Sequence, residues 1–155
     1  MMYSEMDTEE ARKKFWKVLR TALEEKGDPF YFTEKKGWAI VNRDNAYSYH
    51  EPCIAMDFLW RRGFLRINAY IENNIPLYDL FKSNKDIIES QLGFRCLWKE
   101  NTPYTNGRKK FNGNNTRRIE TDLYLDSYPT FKELAEQAIP IVEKFIKVFR
   151  GFIKC

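Results

Sequence analysis

A single histidine and three cysteines occur in 155 residues, and their scarcity excludes several chemistries. Cys53, Cys96 and Cys155 are odd in number and widely spaced, which argues against a disulfide framework. A zinc centre needs clustered Cys or His ligands, and no such cluster is spelled out. His50, between Tyr49 and Glu51 in a polar stretch, is the one imidazole available as a general base. No nucleophile motif accompanies it, so a surface loop is the simpler place for it. Glycine-rich phosphate loops and dinucleotide fingerprints are missing, and no cofactor is implied. No apolar run reaches the ~18–20 residues that span a bilayer. The acidic start (Glu5, Asp7, Glu9, Glu10) is the opposite of a signal peptide, which makes the cytoplasm the expected compartment.

What is present describes a folded domain. Charged residues make up 31% and aromatics 16%, a globular composition, and the length suits one domain over residues 1–155. A net charge of +4 permits an anionic partner without demanding one.

The clearest pattern lies in 63–93. Leu65, Ile67, Ala69 and Ile71 alternate with Phe64, Arg66, Asn68, Tyr70 and Glu72, a period of two that predicts a strand with one buried face. Helical spacing follows, with Asn74 as N-cap, Pro76 in the first turn, and Leu77, Leu80, Phe81, Ile87, Ile88 and Leu92 as the apolar stripe. Gly93 supplies the stop. One helix is expected, although Ser83-Asn84 are residues that compete for backbone hydrogen bonds.

Before this unit, Asp7-Thr8-Glu9-Glu10 opens a helix carrying Ala11, Phe15, Val18, Leu19, Ala22 and Leu23. Phe30–Glu34 and Trp38–Asn42 read as a hairpin, and Cys53–Trp60 as the next strand. Its register against the central strand is predictable. Phe58 opposite Leu65, Met56 opposite Ile67 and Ile54 opposite Ala69 make one apolar face, and Asp57 then meets Arg66 on the other. The tip at Arg61-Arg62 suggests a longer loop that includes Gly63. After the helix, Phe94–Lys99 and Arg117–Leu125 read as strands around a glycine- and asparagine-rich loop, 101–115. Ser127 is the expected cap of a final helix, with Pro140 inside it as a kink. The order α-β-β-β-β-α-β-β-α predicts an α+β fold: a largely antiparallel sheet of about six strands with three helices packed on it.

Several of these segments resemble a bacterial family. FWKVLRTALEEKG near the start, LRINAYIE before the central helix, KDIIESQLGF ending it and FIKVFRGFIK at the close are similar, in order, to domain of unknown function 4268. The likeness covers about Phe15 to Lys154 and consists of hydrophobic patterns. It implies a stand-alone or C-terminal bacterial domain, in some members preceded by a nuclease-like domain, with no established catalytic or binding residues. This chain departs at Asn68, where members tend to be acidic, and in its longer, more basic 101–115 segment.

Three functional classes remain. Arg108, Lys109, Lys110, Arg117 and Arg118 fall within eleven residues, with Tyr104 and Phe111 nearby. Cations beside rings suit DNA or RNA, because lysine and arginine contact phosphates and aromatics stack on unpaired bases. Arg61 and Arg62 would extend that patch. The same charges also suit a hairpin end kept soluble by water. The leading expectation is a non-catalytic accessory domain that contacts nucleic acid through this loop. The second is a protein-interaction module, pairing with a nuclease-like protein or with itself, motivated by Phe64 and Tyr70 on the outer sheet face. The third is a Mg²⁺-dependent nuclease using Asp57, Glu120 and Asp122, which needs these carboxylates to converge on a metal. Surface carboxylates in cross-strand pairs are the simpler reading of them, so no catalytic or metal residue is assigned. Lys144, Lys147, Arg150 and Lys154 lie opposite the apolar stripe of the last helix, as expected of a helix covering a sheet rather than a membrane.

Overall fold

The alternation in 64–72 sends Leu65, Ile67, Ala69 and Ile71 to one side, and in the computed structural model all four are fully buried in the main core. The structure describes residues 6–27, 29–35, 37–42, 52–100 and 116–152. Its elements are α1 (Thr8–Glu24), β1 (Tyr31–Lys35), β2 (Trp38–Asn42), β3 (Cys53–Leu59), β4 (Phe64–Glu72), α2 (Ile75–Ser83), α3 (Lys85–Leu92), β5 (Leu97–Glu100), β6 (Thr116–Tyr124) and α4 (Phe131–Gly151). The six strands form one antiparallel sheet in the order β1-β2-β3-β4-β6-β5. The predicted α+β class is therefore found, with four helices instead of three.

The predicted β3–β4 register holds at every position. Phe58 faces Leu65, Met56 faces Ile67, Ile54 faces Ala69 and Asp57 faces Arg66. The turn between them is the longer loop, closed by Gly63 N–H donating to the Leu59 carbonyl at 2.8 Å, with Gly63 at φ +84°. That left-handed conformation is cheap for glycine and strained for any residue with a Cβ.

The single central helix is a correction. Asn84 divides it, since its side-chain amide donates back to the Leu80 carbonyl and Ser83 Oγ donates to the Asp79 carbonyl. These bonds compete with the helical ladder at the place where the sequence is weakest. The break turns Leu80 and Ile87 outward, both exposed, while Tyr78 takes a fully buried place. A second correction concerns α4. Ser127 belongs to a preceding 3₁₀ turn, and Thr130 is the cap, its Oγ1 accepting from Glu133 N–H at 3.1 Å. The α1 cap is as predicted, with Asp7 accepting from Glu10 N–H at 2.8 Å.

All four helices contribute to the core on one side of the sheet. Phe58 from β3 stacks on Phe15 of α1 with centroids 4.8 Å apart, and Phe131 of α4 stands edge-on to both at 5.9 and 6.0 Å. Trp16, overlooked in the α1 stripe, is buried and meets Phe15 at 5.2 Å. This aromatic knot ties the first and last helices to the centre of the sheet, and it holds the opposite face in shape.

Candidate functional site

Strand alternation places a charged cluster on the face away from the helices. Side by side across β2, β3, β4 and β6 stand Trp38, Asp57, Arg66 and Asp122. The next row holds Ile40, Ala55, Asn68 and Glu120, followed by Leu97 of β5. Beyond it come Cys53, Tyr70, Arg118 and Lys99. The centre of this face is buried: the side chain of Arg66 is 7% exposed, and that of Glu120 is fully enclosed. Rings and apolar groups lie round it, with Tyr31, Trp38, Leu97 and Tyr124 all exposed.

Arg66 is the hub. Its Nε donates to Glu120 Oε2 at 2.9 Å and lies 3.9 Å from Asp122 Oδ1, while Nη1 is 3.6 Å from Asp57 Oδ2. Asn68 Nδ2 donates to Asp57 Oδ2 at 3.1 Å and to the Ala55 carbonyl at 3.3 Å. Lys99 Nζ lies 3.3 Å from Glu120 Oε1. One guanidinium thus serves three carboxylates, and a lysine and an amide complete the shell.

The surplus of acid is relieved by a proton. Burial pushes Asp122 from the ordinary 3.8 up to about 7, helped by its hydrogen bond with Glu120 and by the charge there. Burial alone would also raise Glu120, but the Asp122 hydrogen bond and the charges of Arg66 and Lys99 outweigh it and hold Glu120 below its usual range. Of the two acids, Asp122 is thus the one that takes up a proton first, as pH falls through about 7. Burial raises Asp57 as well, against the pull of Arg66.

These shifts set the sign of a pH dependence. Between the ordinary value of Asp122 and about 7, the folded state holds a proton that the unfolded chain has lost. Stability is then fully present at low pH and falls as pH rises through 7, by at most about 1.4 kcal/mol per unit. Asp57 adds the same sign, and Glu120 opposes it only toward lower pH, where its carboxylate must take up a proton. Urea unfolding should accordingly give a larger free energy at pH 5.5 than at pH 8, with Asp122→Asn flattening the slope. A wild-type curve that rises over this interval would contradict the proton on Asp122.

Convergence of Asp57, Glu120 and Asp122 was the requirement of the nuclease reading. The three do converge, but the positive charge among them is the Arg66 guanidinium. Among the described residues no group of three or more His, Cys, Asp or Glu has the geometry to hold a metal ion.

The basic candidates separate. Arg118 projects on the face away from the helices, opposite both Tyr70 and Lys99. Arg117, one residue earlier, points to the helix side, where its guanidinium lies 5.8 Å from the Tyr78 ring centre. Consecutive strand residues face opposite ways, so these two arginines cannot share one surface. Tyr104, Arg108, Lys109, Lys110 and Phe111 lie outside the described residues, as do His50 and Lys154. Arg61 and Arg62 do not extend the patch. They sit at the start of β4, and Arg118 faces Tyr70 about 20 Å further along it. Arg61 Nε donates to Thr8 Oγ1 at 3.2 Å, and Arg62 lies 5.1 Å from the Phe64 ring, which is itself buried. On α4, Lys144 and Lys147 are exposed while Arg150 Nη2 donates to the Val41 carbonyl at 3.3 Å, so the end of the helix is tied to β2. No helix among the described residues is long and apolar enough to cross a membrane.

Sequence reasoning missed a second group of cations. Lys82 and Lys85 lie 5.8 and 6.0 Å from the Trp98 ring, on the helix side of β5. Glu89 Oε2 holds that ring in place by accepting from Trp98 Nε1 at 3.1 Å and from Cys96 N–H at 2.8 Å. The only sequence signal was alternation along β5, which puts Lys99 and Trp98 on opposite sides. Compared with models of known families, with curated proteins and with solved structures, the chain matches none.

Proposed function

We propose that the chain is a non-catalytic accessory domain that contacts nucleic acid at the β5–β6 edge of its sheet. The observation behind this reading is the cross-strand pair Lys99–Arg118, set beside Tyr70. These two cations stand near the strand ends joined by 101–115, the segment that carries Arg108, Lys109 and Lys110 in the sequence. Phosphate contacts of this kind bind without reading sequence and weaken steeply with salt.

Fluorescence anisotropy with labelled single- and double-stranded DNA and RNA at two salt concentrations tests it. Glutamine at Arg108, Lys109 and Lys110 together should lower affinity and reduce the salt slope by roughly 2 on a single strand, at about 0.7 per lost contact. An unchanged slope would end the proposal. Chelation of divalent ions should leave binding intact, since the carboxylates here are served by Arg66.

A second reading, a protein-interaction or self-associating surface, draws on the exposed Tyr31, Trp38, Leu97 and Tyr124 sharing one face. Sedimentation equilibrium distinguishes it: a concentration-independent monomer counts against self-association.

A further inference from the structure

We infer that the ligand of this edge is a flexible single strand, which crosses β5 from the Lys99–Arg118 side to Lys82 and Lys85 on the helix side; this rests on the nucleic-acid reading above. The strand β5 is outermost in the sheet and pairs with β6. Its alternation sends Leu97 and Lys99 to one side and Trp98 to the other. Cations therefore flank one thin edge on both sides.

On the helix side, Lys82 is exposed and Lys85 half-exposed. Neither forms a salt bridge among the described residues, though Lys85 helps to hold the Glu89 carboxylate ionised, whereas Lys13, Lys26 and Lys99 each form one. Both ammonium groups lie about the half-buried Trp98 ring, and Tyr78 meets that ring edge-on at 6.2 Å. Cations around a fixed ring are the combination that single-strand sites use, with phosphates on the lysines and a base on the aromatic. Geometry favours the more flexible ligand. Duplex DNA stays nearly straight over tens of base pairs and reaches both sides of the edge only if the edge enters a groove. A single strand bends freely enough to engage both.

The test uses the full chain, a labelled oligothymidylate and a duplex of the same length. Wild type should prefer the oligothymidylate. The double variant Lys82→Gln/Lys85→Gln should bind it about tenfold more weakly, with the salt slope reduced by roughly 1.4 for two lost contacts. A thermal melt matching wild type shows that the variant is folded. If the double variant binds as wild type while Arg118→Gln weakens binding, the crossing is wrong and the nucleic-acid function stands. A preference for duplex overturns the single-strand assignment. Binding of neither probe by wild type overturns the function itself, and this inference with it.

Discussion

Replacing Arg66 with alanine is expected to destabilise the domain by about 3–5 kcal/mol, because it leaves buried carboxylates without their cation. Glu120 is fully enclosed and the Asp122 side chain is 8% exposed, so water cannot substitute for the guanidinium. Against a total stability of about 5–15 kcal/mol, such a loss brings the chain close to unfolding at room temperature. The diagnostic is partial recovery. Adding Glu120→Gln to Arg66→Ala removes the charge most dependent on Arg66 and should return part of the loss, because the two sites share one network. Urea titrations of both single variants and the double variant give the coupling. A cost below about 1 kcal/mol for Arg66→Ala would mean the cluster behaves as a solvated surface pair.

Phe58→Ala should cost a comparable amount, about 3–5 kcal/mol, for a different reason. Phe58 is fully buried and touches the rings of Phe15, Trp16, Trp60 and Phe131, so its removal opens a cavity between α1, the sheet and α4. Phe58→Leu keeps most of the volume and should cost clearly less. The two variants also separate by pH. The Arg66 variant leaves acids uncompensated and should regain stability on acidification, whereas the Phe58 loss should stay constant. Equal pH responses would show that the ionic face and the aromatic core are not independent.

The centre of the sheet was legible because β4 and β6 carry a period of two over enough residues to choose a face. In β3 and β4 a slip by one would set Asp57 against Ile67, so packing and charge point to the same register. Helix boundaries were less legible, since they depend on single side chains. Asn84 and Thr130 act through one or two local hydrogen bonds, and neighbouring Ser83 and Ser127 offer the same chemistry. The ionic hub was half visible. The Asp57–Arg66 pair follows from register, but β6 had no predicted partner. Without the β4–β6 pairing, Glu120 and Asp122 read as surface acids instead of wards of Arg66. The basic cluster failed in a similar way. Adjacent cations in sequence looked like one patch, and alternation along β6 divided Arg117 from Arg118.

The strand order carries a consequence for how the edge comes into being on the ribosome. Leu97–Glu100 leaves the exit tunnel well before Thr116–Tyr124, yet its hydrogen-bonded neighbour in the sheet is that later strand. Until Thr116–Tyr124 emerges, β5 lacks the strand it pairs with in the finished sheet. Pairing with β6 is thus the event that gives β5 its two defined sides, Leu97 and Lys99 on one and Trp98 on the other.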